Sequence, residues 1–215
     1  HLDGYRGILQ VDGYAAYNRL GKDRGANDAM TLAGCWAHAR RKFFDLQASD
    51  GSPFASAVVK AMAPLWVIEE DIRGHGAELR ASIRAERSRP IVAELFTMLD
   101  RELPRLSGKS KLAEIIRYTL SRRTSFERFL ADGRIEIDSN IVERAIRPQT
   151  ITRKNALFAG SDGGGRAWAT IATLLTTAKM NGVDPHAWLT QTLARIAGGW
   201  PNSQIADLMP WNFRP

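Results

Sequence analysis

Gly133-Arg-Ile-Glu-Ile-Asp138-Ser-Asn140-Ile-Val-Glu143-Arg-Ala-Ile-Arg147-Pro-Gln-Thr-Ile-Thr-Arg153-Lys154-Asn-Ala-Leu-Phe158 sets one carboxylate, Glu143, at the start of a predicted short helix. Around it stand Arg144, Arg147, Arg153 and Lys154, so an acidic group is held inside a basic surface. Basic side chains hold a polyanion and a carboxylate holds a divalent metal, which is the combination that metal-assisted chemistry on a phosphate backbone requires. The same residues also have a purely structural reading. Asp138, Ser139 and Asn140 are all good N-caps, Asn140 with Glu143 approaches a capping box, and Glu143 with Arg147 forms an i,i+4 pair.

Working outward, the 215 residues fit one large domain or a core with an insertion, and 44% hydrophobic content suffices for a packed interior. Thirty Lys plus Arg stand against 23 Asp plus Glu, a formal net charge of +7, which favours a polyanionic partner such as nucleic acid. The single cysteine, Cys35, rules out an intrachain disulfide and fits a reducing compartment. No apolar run approaches the ~18 residues of a membrane span, and no signal peptide opens the chain. A cytoplasmic, nucleoid-associated protein is expected. Because the chain opens on His1 and a strand begins within ten residues, it reads as a fragment of a longer protein.

Upstream, Gly7-Ile-Leu-Gln-Val-Asp12 is short, β-prone and bounded by glycines, which predicts a buried strand with Asp12 at its carboxyl end. Open α/β sheets place reactive groups there, although a turn or cap residue before a helix over residues 13–20 is the alternative. Met30 to Cys35 predicts a second strand, and a helix starts at Trp36. Cys35 and His38 have the spacing of half a zinc site, but a structural zinc needs four ligands, so a packed cysteine with a hydrogen-bonded histidine is the better reading of spacing alone. Arg40, Arg41 and Lys42 read either as phosphate contacts or as a solvated face.

From Asp45 to about Asp132 the pattern turns helical. Stripes run through Phe54, Val58, Met62, Leu65 and Trp66, then Ile91, Leu95, Met98 and Leu99, then Leu112, Ile115, Ile116, Thr119 and Leu120. Breaks are expected at residues 74–76, 88–90 and 104–108. Downstream, Ser161-Asp-Gly-Gly-Gly-Arg166 reads as a turn before a helix over about residues 167–180 and lacks the Lys-Ser/Thr of a nucleotide loop. Asn181-Gly182 ends that helix and Asp184-Pro185 starts another, running to about Ala197. The tail through Trp211 and Phe213 is expected to dock on the core.

Taken together, five stretches in this order resemble the catalytic domain of the IS66-family transposases of bacterial insertion sequences. They are residues 7–18, Cys35-Trp-Ala-His-Ala-Arg-Arg-Lys-Phe43, residues 132–148, Arg153-Lys-Asn-Ala-Leu-Phe-Ala-Gly-Ser161 and Thr177-Ala-Lys-Met-Asn-Gly-Val-Asp-Pro185. The resemblance implies an α/β fold: a partial RNase H-like core whose first strands lie upstream, an all-helical insertion, and C-terminal helices. The implied division is 1–45 and 132–198 for the two parts of the core, 46–131 for the insertion and 199–215 for the tail.

The resemblance further implies an Asp-Asp-Glu triad in which Asp12 is the second Asp and Glu143 the Glu, both catalytic and both metal ligands. Cys35 and His38 match a supporting Cys-x-x-His element. The first Asp is expected upstream of His1, since Asp3 seats poorly. DNA contacts are expected from Arg40, Arg41, Lys42, Arg144, Arg147, Arg153 and Lys154. Two Mg²⁺ ions about 3.5 to 4 Å apart, with Mn²⁺ as substitute, suit in-line displacement at phosphorus. The implied function is strand nicking and strand transfer on transposon ends and target DNA, by a homo-oligomer of the parent protein, with this fragment inactive alone. Two alternatives stand beside it. One is a truncated, non-catalytic remnant that binds DNA or an intact transposase, and the other is a carboxylate-pair glycosidase, which makes poor use of the arginines around Glu143.

Overall fold

The computed structural model describes residues 5–13, 17 and 30–214. The helix expected over residues 13–20 and the position of Asp3 lie, apart from Gly13 and Tyr17, outside the described residues. The chain divides into two compact units, His1–Ile141 and Val142–Pro215. The described elements are mostly helical, with one two-stranded parallel sheet.

In the first unit, β1 (Gly7–Val11) pairs in parallel with β2 (Met30–Gly34), Gly7 opposite Met30 and Val11 opposite Gly34. Cys35, expected as the last strand residue, instead takes the N-cap position of α1 (Trp36–Asp50), and its N–H donates to the Val11 carbonyl at 3.1 Å. The helices α2 (Pro53–Asp71), α3 (Ala77–Ile83), α4 (Arg89–Glu102), α5 (Lys111–Leu120) and α6 (Arg123–Glu127) follow. Ser52 and Ser110 cap α2 and α5 by accepting the N–H groups of Ala55 and Ala113, the side-chain answer to helix ends whose first donors have no intrahelical partner.

The predicted stripes form the core of this unit. Val58, Met62 and Leu65 of α2 pack with Leu95 and Leu99 of α4 and Ile116 of α5, around Trp36 and Phe43 of α1. The break expected at residues 88–90 is not a break. The helix continues from α3 through a π-turn over Arg84–Ser88 into α4, with the Arg89 N–H reaching the Arg84 carbonyl five residues back. One widened turn lets the chain carry Pro90, which has no N–H to donate, without leaving the helical path.

Inside this unit lies a fully buried guanidinium. Arg84 (0% exposed) donates Nε to Glu69 Oε1 at 2.7 Å and Nη2 to Glu69 Oε2 at 2.6 Å, while Nη1 donates to the carbonyls of Phe129 at 3.0 Å and Ile135 at 2.9 Å. The fork thus satisfies its charge on one carboxylate and its remaining donors on the backbone ahead of Asp138. That backbone alternates, Ile135 and Ile137 inward and Arg134 and Glu136 outward, and the Ile137 carbonyl receives the Trp36 N–H at 3.0 Å.

The second unit is helical: α7 (Asn140–Asn155), which begins in the last two residues of the first unit, then α8 (Asp162–Met180) and α9 (Pro185–Ala197). The helix bearing Glu143 is four turns long rather than short, and continues through Pro148. The glycine-rich stretch is not a turn before α8 but its first turn. Ser161 caps it by accepting the Gly164 N–H at 3.1 Å, and a Cβ on Gly164 would collide with the Ala159 carbonyl, which explains glycine there. Gly182, at φ 69°, ends α8, and Asp184 caps α9 by accepting the Ala187 N–H at 2.7 Å. The tail docks through Leu208 and Pro210, with Trp188 Nε1 donating to the Leu208 carbonyl at 2.8 Å, whereas Trp211 remains 59% exposed.

Candidate functional site

Asp12 follows the last residue of β1 and is exposed. Its carbonyl accepts the Tyr118 hydroxyl at 2.7 Å, and the next carbonyl, of Gly13, accepts Arg122 Nη2 at 3.4 Å. Gly13 sits at φ 89°, where other residues are strained, and a Cβ on it would enter the Tyr118 ring, so only glycine lets the strand end lie against this tyrosine. Lys42 Nζ lies 4.7 Å from the Tyr118 ring centroid and the Arg122 guanidinium 4.3 Å from it, which puts two cations on the ring beside Asp12. Burial raises the Tyr118 phenol above its ordinary value; the Arg122 charge opposes that rise and the Asp12 charge adds to it. Tyr118 therefore stays protonated and remains a donor to the strand end.

Cys35 is buried where three segments meet. Its N–H holds the end of β1, its thiol accepts the Ser139 N–H and hydroxyl, each at 3.3 Å, and His38 Nδ1 lies 3.2 Å from the same sulfur. The strand end that carries Asp12 and the backbone entering α7 are thus joined through one residue. This geometry matches the packed cysteine with a hydrogen-bonded histidine expected from spacing.

Asp138 organises the entry to α7. Its Oδ1 accepts the Asn140 N–H at 3.0 Å, and its Oδ2 accepts both Asn140 Nδ2 and Trp66 Nε1 at 2.9 Å. The short polar side chain closes the turn that the helix start needs. The indole of α2 is fixed in orientation by that same carboxylate.

Among the predicted basic residues, Arg40 is half-buried with its guanidinium 5.8 Å from the Trp66 ring centroid, and Arg41 and Lys42 are exposed. Asp12, Cys35, His38, Arg40, Arg41 and Lys42 belong to the first unit; Glu143, Arg144, Arg147, Arg153 and Lys154 belong to the second. Glu143 lies in the first turn of α7 and is half-buried, while Arg144, Arg147, Arg153 and Lys154 are exposed. At 3.6 residues per turn Glu143, Arg147 and Lys154 share one face of the helix. Tyr118, Arg122 and Trp66 are site neighbours that no motif announced, whereas Asp138 was already a candidate cap for this helix start. Tyr118 sits within an amphipathic helix and Trp66 within a core stripe, and neither stands near Asp12 or Asp138 in sequence.

The fold and the site define a helical protein with a small parallel sheet and a carboxylate at the strand end among basic side chains. Comparison with protein families places it. The chain matches the Transposase IS66 family over residues 1–167 and the IS66 C-terminal element over residues 173–211. The chain belongs to the IS66 transposase family. Its relatives include three proteins of Sinorhizobium fredii (strain NBRC 101917 / NGR234): uncharacterized protein y4qI, 64% identical, y4jD, 44% identical, and y4hP, 39% identical. These alignments take in 99–100% of this chain but 40–42% of the relatives, so the chain spans about two fifths of their length. No solved structure matches it. Among the described residues no helix is long and apolar enough to cross a membrane.

Proposed function

We propose that this chain is the carboxylate-bearing part of a DNA transposase that nicks transposon ends and transfers the freed strand to target DNA. The reading also takes β1 and β2 as part of an RNase H-like core that residues 46–131 interrupt as a helical insertion. The observation that carries it is the junction at Cys35, which ties the strand end bearing Asp12 to the backbone leading directly into the helix of Glu143.

In this reading Asp12 and Glu143 would hold a divalent metal. Both are hard oxygen donors, the class that Mg²⁺ and Mn²⁺ prefer, and Asp12 is exposed at the end of its strand. When bound, such ions supply Lewis acidity at the phosphorus and an activated water or 3′-hydroxyl. Tyr118 and Arg122 fix the backbone on which Asp12 stands, and Cys35 with His38 supports that strand end. Arg40, Arg41, Lys42, Arg144, Arg147, Arg153 and Lys154 bind the DNA backbone, and a homo-oligomer of the longer parent protein brings two ends together.

DNA affinity measured against salt tests the interface. Each phosphate-binding side chain that is lost reduces the slope of log affinity against log salt by about one. The expected result is a slope that falls by about two in the double variant Arg147→Gln, Lys154→Gln. Affinity independent of salt, or a slope unchanged in that variant, contradicts the proposed role of α7. Mn²⁺ binding to the parent protein that persists unchanged in Asp12→Asn contradicts the metal assignment.

A further inference from the structure

One groove of the first unit, of about 380 Å³, is lined by Ala37, Arg40, Arg41 and Phe44 of α1, Ala63 and Trp66 of α2, and Asn140 at the start of α7. Its composition is unlike that of a surface built only to track a duplex backbone. Two aromatic rings stand beside two guanidinium groups, and both line the groove: Phe44 is 49% exposed, and Trp66 is half-buried, packed in part against the core. The indole is held at its edge by the Nε1 bond to Asp138, and Arg40 lies against its ring.

An aromatic fixed in place beside cations recognises a flat π-system carrying negative charge, which describes a nucleotide whose base has left its partner. A paired base hides its faces in the stack and offers such a groove only phosphates. We infer that this groove takes an unpaired nucleotide of a DNA strand, its base against Trp66 and Phe44 and its phosphate on Arg41. The inference rests on the reading of the chain as a DNA-processing protein and deepens it, because it assigns the protein a preference for strand ends or distorted sites over continuous duplex. Asn140 lines the groove three residues before Glu143, so an unpaired nucleotide seated there lies at the entry to the helix that bears that carboxylate.

The test uses the whole chain and two DNA probes of equal length carrying 2-aminopurine. In one the reporter sits in a short single-stranded tail, and in the other it is paired within a blunt duplex. The expected result is quenching of the tailed probe on binding and no change in the blunt probe. Phe44→Ala, at a half-exposed position outside the core, is expected to lose the quenching and to bind the tailed probe about tenfold more weakly, with blunt-duplex affinity unchanged. Arg41→Gln is expected to weaken the tailed probe as well.

Salt-sensitive binding of both probes with equal affinity and no quenching overturns this inference and leaves the DNA-binding reading standing. So does a Phe44→Ala variant that binds the tailed probe as the parent does. Competition by a free deoxynucleoside monophosphate as effective as the tailed probe overturns it in favour of a small-nucleotide site. Absence of binding to either probe overturns both readings.

Discussion

Tyr118 illustrates how much of a site can rest on one uncharged hydroxyl. It donates to the carbonyl of Asp12, its ring fills the space that Gly13 leaves open, and it carries Lys42 and Arg122 against its face. Tyr118→Phe keeps the ring and removes only the donor. It is expected to cost about 1 kcal/mol in urea unfolding, and a variant as stable as the parent would show that the bond contributes nothing. Asp132 offers a pH-dependent check. Hydrogen bonds from the Arg134 side chain and backbone N–H hold its carboxyl at about 2. Because that value lies below the ~3.9 of an unfolded-chain Asp, the interaction stabilises the fold fully above ~3.9, and the contribution is lost as pH falls through about 2. In Arg134→Ala the Asp132 midpoint, followed by NMR, is expected to rise toward the ordinary value; an unmoved midpoint contradicts the assigned cause.

Among the elements, those written by local chemistry were legible. Gly7 to Val11 is β-prone between glycines, Asp184-Pro185 caps and opens α9, and the stripe of Val58, Met62 and Leu65 is the core face of α2. Asp12 at the strand end and the cysteine–histidine contact were legible for the same reason, since both depend on neighbours within a few residues. Two expectations failed where a competing local bond decided the outcome. The glycines of residues 163–165 joined α8 because Ser161 offered a cap, and Ser88–Pro90 stayed helical because the π-turn absorbed the proline. If Ser161 starts α8, Ser161→Ala should cost about 1 kcal/mol and raise amide exchange at Gly164. Unchanged exchange there would place the helix start elsewhere.

On the scale of the whole molecule, the arrangement around the site depends on charges far apart in sequence. Arg84 and Glu69 lie in helical stretches whose patterning marks charged positions as solvated, yet they meet in the interior and hold the backbone that runs to Asp138. No spacing rule reveals such a pair, because its partners are brought together by packing, as Tyr118 is with Asp12 and Trp66 with Asp138. Arg84→Met leaves the buried Glu69 with only the longer 3.5 Å contact to Arg80 and frees the carbonyls of Phe129 and Ile135, for an expected loss of about 3–5 kcal/mol in stability. A loss below about 1 kcal/mol would mean that the pair behaves as a surface contact.

Nicking tests whether Asp12 and Glu143 serve one metal-dependent reaction on DNA. Mg²⁺- and Mn²⁺-dependent cleavage of transposon-end DNA is measured for this chain, for a longer parent protein that includes the upstream sequence, and for that parent with Glu143→Gln or Asp12→Asn. Cleavage is expected of the parent alone, abolished by either substitution while DNA binding persists. Normal cleavage by either variant, or a folded, DNA-binding parent that never cuts, would contradict it.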